Sequence, residues 1–187
     1  PNPAIAGQTV NMLGNLTTSS DLPIAGATVI IKSNGTIIGT LITNATGWFK
    51  ASGTVRSAGT FNITAGYLGS TQHLPCFYWE ILVVNKTKTA IYAKFAPNPV
   101  YSGNECKLIG ILVDQFSNPI RFATVSLEYS TDYGLTWKPA GTLTTNSYGI
   151  FAKIFVSPSL GTYLVRIKYA GSPNYEPSTT DISLIVR

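Results

Sequence analysis

The chain has 187 residues, room for one large domain or two of about 90–100 residues. Hydrophobic residues make up 44% of it and charged residues only 11%, well below the ~25% charged that is usual for soluble globular domains. With one histidine, His73, and eight carboxylates, there is almost no material for a Ser/His/Asp triad or a multi-histidine metal centre, so neither an enzyme nor a cofactor is expected. The formal net charge of +5 comes from thirteen bases scattered singly, without the Lys/Arg runs that track phosphates, which argues against nucleic acid as a partner. Few carboxylates also means little charge change in acid, so tolerance of an acidic medium is expected. No stretch reaches the ~20 apolar residues of a helical membrane span. No basic-then-apolar leader opens the sequence, so an exported form is expected to have lost its signal already.

Apolar residues alternate with period two, as in Tyr163, Val165, Ile167 and Tyr169, the pattern of a half-buried strand. Gly, Pro and Asn punctuate the chain about every 8–12 residues, the rhythm of an all-β sandwich. The predicted strands, in chain order, are 9–17, 26–32, 36–43, 47–55, 60–68, 76–84, 88–96, 104–113, 122–130, 135–144, 149–157, 161–170 and 178–186.

An internal repeat organises these strands. Pro1-Asn2-Pro3 recurs as Pro97-Asn98-Pro99, an offset of 96 that also matches Gly14 to Gly110 and Ala27-Thr28-Val29 to Ala123-Thr124-Val125. After a six-residue insertion the offset becomes 102 and matches Gly39-Thr40-Leu41 to Gly141-Thr142-Leu143, Phe49 to Phe151, Gly59-Thr60 to Gly161-Thr162, and Gly69-Ser70 to Gly171-Ser172. The expected organisation is two tandem copies of one sandwich, residues 1–85 and 86–187, joined near Asn85-Lys86-Thr87.

The Pro-Asn-Pro, the Pro-Ile followed by Ala-Thr-Val, the Asn-x-x-Gly turn and the closing Tyr169-Ala170-Gly171-Ser172-Pro173-Asn174-Tyr175 resemble the immunoglobulin-like repeats of bacterial and archaeal surface proteins. The resemblance covers nearly the whole chain. It implies an all-β fold of two tandem immunoglobulin-like β-sandwiches that space or join things outside the cell. In the first copy Leu68, His73 and Cys76 depart from the pattern, and a rebuilt penultimate loop is expected there.

The repeat also exposes an asymmetry. The second copy opens with a strand, Lys88 to Ala96, before its Pro-Asn-Pro, whereas the first copy begins at Pro1-Asn2-Pro3. A sandwich short of one strand leaves unpaired backbone groups and an apolar groove. Three readings follow: residues preceding Pro1 complete it, the short sheet is tolerated, or a strand from a neighbouring molecule fills the gap, the donor-strand mode of assembly. In the last reading the candidate donor is the N-terminal segment, with Pro1, Ile5, Val10 and Met12, although the alignment equally makes Val10 and Met12 part of the first copy's own second strand.

Five Asn-x-Ser/Thr acceptors occur, at Asn15, Asn34, Asn44, Asn62 and Asn85, and strand alternation or turn position places all five at the surface as candidate N-glycosylation sites. Cys76 and Cys106 are the only thiols. Each lies about nine strand residues, or ~30 Å, from the junction. A bridge between head-to-tail neighbours, a bridge within a folded-over molecule, and buried free thiols all remain open. His73 reads as a loop residue. Asp132, Glu128 and Glu176 are too sparse for a calcium cage. Lys88 and Asp181 are a remote candidate for a side-chain cross-link, and Trp48, Trp79 and Trp137 read as core and edge packing, with Tyr133 or Trp137 as a stacking patch.

The expectation is therefore a structural subunit of an extracellular, cell-surface filament, similar in design to archaeal threads. It would polymerise head to tail by strand donation, carry N-glycans, and serve adhesion and cell-to-cell contact, with identical subunits as partners and no membrane span. The alternative is a spacer or binding repeat of a larger adhesin or surface-layer protein.

Overall fold

The structure, a computed structural model, describes residues 1–187 and is all β, with fourteen strands. It divides into two compact units, Pro1–Lys86 and Thr87–Arg187. Each of the thirteen predicted strands has a counterpart whose ends differ by at most three residues.

The first unit contains β1 (Ala4–Ile5), β2 (Thr9–Asn15), β3 (Thr28–Ser33), β4 (Thr36–Ile42), β5 (Trp48–Thr54), β6 (Gly59–Tyr67) and β7 (Cys76–Asn85). One sheet has the order β1-β7-β6-β3-β4, and the facing sheet is the pair β2-β5. The second unit contains β8 (Thr89–Ala96), β9 (Glu105–Asp114), β10 (Thr124–Ser130), β11 (Lys138–Thr144), β12 (Ile150–Val156), β13 (Gly161–Tyr169) and β14 (Ser178–Val186). Its sheets are β11-β10-β13-β14 and β12-β9-β8.

The repeat survives down to single interactions. Val29 pairs with Tyr67 as Val125 pairs with Tyr169, and a bulge follows Ile31 as it follows Leu127. Thr43 Oγ1 accepts from Ala27 N at 2.9 Å and donates to Ile24 O at 2.7 Å; Thr145 does the same for Ala123 N and Ile120 O, both at 2.8 Å. These buried hydroxyls satisfy backbone groups that would otherwise be stranded in the sandwich. Gly14 and Gly110 face the rings of Phe49 and Phe151, and a Cβ at either glycine would fall inside the ring. That close approach explains a glycine in the middle of a strand.

The motif that opens each copy has a specific task. Asn2 Nδ2 donates to Ile81 O at 2.7 Å and Asn2 Oδ1 accepts from Val83 N at 3.0 Å; Asn98 treats Ser183 O and Ile185 N in the same way, at 2.8 and 3.0 Å. The side-chain amide thus continues the ladder on the edge of the last strand, and the next residues then pair with it in parallel, Ala4 with Val84 and Val100 with Val186. This corrects the expectation of a free N-terminal donor. Pro1 to Ile5 are held on β7 of their own unit, and Val10 and Met12 lie in β2, paired with Gly53 and Ala51 of β5.

The expectation of a rebuilt penultimate loop is also corrected. Ser70 N donates to His73 O at 2.8 Å as Ser172 N donates to Tyr175 O at 3.0 Å. Gly69 and Gly171 share a positive φ of 86° and 84°. The loop keeps its backbone despite His73 and Leu74, because the glycine and the serine at its start set the turn.

Candidate functional site: the open edge of the first unit

In the second unit β8 runs antiparallel to β9, Ile91 opposite Leu112 and Phe95 opposite Leu108. Alternate residues of β8 point inward, so Ile91 and Phe95 join a continuous cluster of fifteen buried residues. Under that cover Leu108 and Leu112 are 0% exposed, and Cys106, just past the end of the ladder, is 1% exposed. The entry to β8 is also tied down: Thr87 N donates to Asn174 O, Glu176 N to Thr87 O, and Thr89 Oγ1 bonds Glu176 O and Ser178 Oγ.

The first unit has no strand in that place. Among residues 1–187, β2 is paired on one side only, with β5. Val10 and Met12, the counterparts of Cys106 and Leu108, are only half-buried. The core is correspondingly split into a six-residue cluster around Phe49 and Ile31 and a three-residue cluster of Ala4, Ala6 and Val84. Leu74, the counterpart of Glu176, whose N donates to Thr87 O in the second unit, is 87% exposed. Within residues 1–187 the outer ladder of β2 is therefore unpaired beside the half-buried Val10 and Met12, where the second unit places β8 on β9.

The remaining predicted positions fall as follows. Asn15, Asn34, Asn44, Asn62 and Asn85 are all exposed. Asn34 occupies a tight hairpin with φ 47°, followed by Gly35 at 84°, and its Oδ1 accepts from Asn62 N at 2.8 Å. Asn44 Oδ1 accepts from Thr46 Oγ1, Thr46 N and Trp48 N, each at 2.9 Å. Asn85 differs from the others, since Thr87, whose hydroxyl completes its acceptor triplet, is buried.

Cys76 and Cys106 are both free, the first exposed and the second buried. The two sulfurs do not bridge each other within the chain. Cys106 points into the apolar interior between β9 and its neighbours, where burial pushes its thiol pKa up and no second sulfur reaches it while the unit is folded. His73 lies in the 70–75 loop with Nδ1 3.3 Å from Ser70 Oγ. Asp181 is held by Arg166 through two bonds of 2.8 and 2.7 Å, so the Lys88–Asp181 cross-link is not what its carboxylate makes. Glu128 pairs with Lys168 at 2.6 Å, and Glu176 contributes its backbone N and O to Thr87 and Thr89. Asp132 accepts from Ser130 Oγ and from Thr136 N and Oγ1, which holds its carboxyl at about 2. No group of three or more His, Cys, Asp or Glu side chains comes together.

The tryptophans were read as packing residues, and two of the three are not. Trp48 and Trp79 are exposed, while Trp137 lies half-buried under the Arg166 guanidinium, 3.9 Å from its ring. Tyr133 stands out into solvent at a positive-φ turn. No helix of the structure is long and apolar enough to cross a membrane.

No protein-family model and no curated protein matches the sequence. Among solved structures, the bacterial integrin-binding protein invasin aligns over 99% of this chain with a TM-score of 0.57 and 17% identity. The chain spans 37% of that protein. The adhesin InvE of Yersinia pseudotuberculosis (14% identity, TM-score 0.43, 98% of this chain and 56% of that one) and fibronectin(III)-like modules of CbhA from Clostridium thermocellum (13%, 0.40, 100% and 91%) are looser likenesses that bear no weight. The architecture and the invasin likeness agree on the fold: the chain is a tandem of two immunoglobulin-like β-sandwiches.

Proposed function

We propose that the chain is a structural subunit of an extracellular, cell-surface filament in which the free edge of β2 in one copy is completed by an extended strand of the next. The observation that carries this reading is the unpaired side of β2 beside the half-buried Met12 and Val10, set against the same site in the second unit, which β8 closes. By that template the donor strand runs antiparallel to β2 and presents apolar side chains opposite Leu16 and Met12, the counterparts of Leu112 and Leu108. A head-to-tail contact between unlike surfaces propagates into an open thread wherever its rotation does not close a ring. Low charge and five exposed acceptor asparagines suit a glycosylated chain outside the cell, where a thread made of such subunits serves adhesion and cell-to-cell contact.

A second reading is a spacer or binding repeat of a larger adhesin, favoured by the invasin likeness, in which this chain spans a minor part of a surface-binding protein. Hydrogen exchange on dispersed and assembled protein separates the two. Strand donation predicts that the β2 amides on the edge away from β5 exchange rapidly in the dispersed chain and gain protection on assembly, while both edges of β9 are protected throughout. Protection of that β2 edge in the dispersed chain, or no change on assembly, overturns the proposal.

A further inference from the structure

The two units differ sharply on one outer sheet face. Along β14 the outward positions are Thr179, Asp181, Ser183 and Ile185, and the neighbouring strand answers with Arg166, which clamps Asp181 and stacks on Trp137. The second unit thus seals this face with its own side chains. Along β7 the same positions are Phe77, Trp79, Ile81 and Val83, and the partner of Trp79 is Thr64, where the second unit has Arg166. Phe77 is 77% and Trp79 56% exposed. A contiguous apolar row on a sheet face invites aggregation unless something covers it.

The cover is encoded on the adjacent strand. In the triplet Asn62-Ile63-Thr64, alternation turns Ile63 into the core and puts both Asn62 and Thr64 on the outer face. Register sets Asn62 directly opposite Ile81 and one diagonal step from Trp79. Asn62, Thr64, Phe77 and Trp79 line a shallow, open depression of about 280 Å³, two of them polar and two aromatic. One face of a pyranose ring is lined with C–H bonds that meet the negative face of an indole, while its hydroxyls stay wet. The other four acceptors sit at strand ends or turns. Asn15 and Asn44 adjoin the single exposed Trp48, Asn15 opposite it in register and Asn44 accepting from its N, so Asn62 alone is placed mid-strand beside the Phe77 and Trp79 pair.

We infer that the glycan attached at Asn62 folds back over β7 and covers Trp79 and Phe77, acting as the outer wall of this sheet, whereas the glycans at the other four sites project into solvent. This rests on the exported, glycosylated setting proposed above and not on strand exchange. The test uses protein purified from the cells that make it, with hydroxyl-radical footprinting read by mass spectrometry at single residues. N62Q is expected to raise oxidation of Trp79 and Phe77 several-fold, and N44Q to leave both unchanged. Thr64→Ala, which destroys the acceptor but keeps Asn62, is expected to reproduce N62Q, and Thr64→Ser, which keeps the acceptor, to behave as wild type. An Asn62 that carries no glycan while other sites do overturns this inference without touching the filament. So does unchanged Trp79 oxidation in N62Q, or protection that appears only as concentration rises, which would make a second copy the cover.

Discussion

Phe95→Ala tests directly what an opening strand does for one of these sandwiches. The Phe95 ring is 8% exposed and packs from β8 into the continuous core of the second unit. Truncating a buried phenylalanine costs about 3–5 kcal/mol, the transfer of the ring plus the cavity it leaves. The unit spans Thr87–Arg187, a size at which each kcal/mol moves the midpoint by about 4–8 °C, so its thermal transition is expected to fall by at least ~12 °C. Peptide-resolved hydrogen exchange during a thermal ramp reports each unit separately, and the first unit's transition is expected to stay put. The substitution should also make β9 amides exchange as readily as those of β2, turning the second unit into an imitation of the first. A loss below ~1 kcal/mol, the ordinary size for a generic substitution, would show that β8 does not close the sandwich, and the argument that the first unit needs a partner would fall with it.

Other predictions rest on different residues. Gly110→Ala drives a methyl into the Phe151 ring, 1% exposed, and Gly14→Ala does the same to Phe49, 8% exposed in the unit whose β2 edge is unpaired; overpacking of this kind costs about 1–3 kcal/mol, and urea midpoints should show the larger loss for G110A because its core is closed by β8. Equal losses would contradict that difference. The Asp132 carboxyl is held at about 2, below its ordinary 3.8, so its contribution to the second unit is complete above pH 3.8 and is lost as pH falls towards 2. D132N should therefore lower the neutral plateau of the second unit's melting temperature and flatten the acid limb between pH 3.8 and 2, and an unchanged acid limb would refute the assignment. Finally, an aqueous disulfide reagent should titrate one thiol per native chain, Cys76, and reach the buried Cys106 only after unfolding; two fast thiols would contradict the placement of Cys106 in the core.

Periodicity and the repeat together carried most of the fold. Strand positions were readable because alternation and turn residues act locally, and the short opening of the first copy was visible as soon as the two copies were aligned. What alignment did not reveal was long-range pairing. Nothing local says that the Asn2 side chain continues the β7 ladder, or that Ala4 and Ile5 run parallel to β7, and so the segment looked free to leave. The departures at His73 and Leu74 suggested a new loop, yet the backbone answers to Gly69 and Ser70 more than to the side chains that follow. The Phe77-Trp79 face was missed for a similar reason. On one strand Trp79 reads as core or edge packing, and only the register with Asn62 and Thr64, set against Arg166 and Asp181 in the other unit, shows that it faces out with Phe77.

The central claim is that the free side of β2 is paired in the assembled state by a strand from another molecule. Cryo-electron microscopy of the assembled material tests it most directly, by tracing the polypeptide that lies along β2. The account predicts a strand antiparallel to Thr9–Asn15, its inward side chains over Met12 and Leu16, continuous with the neighbouring subunit. A strand there that belongs to the same subunit, or an assembled state in which β2 stays unpaired, would contradict it.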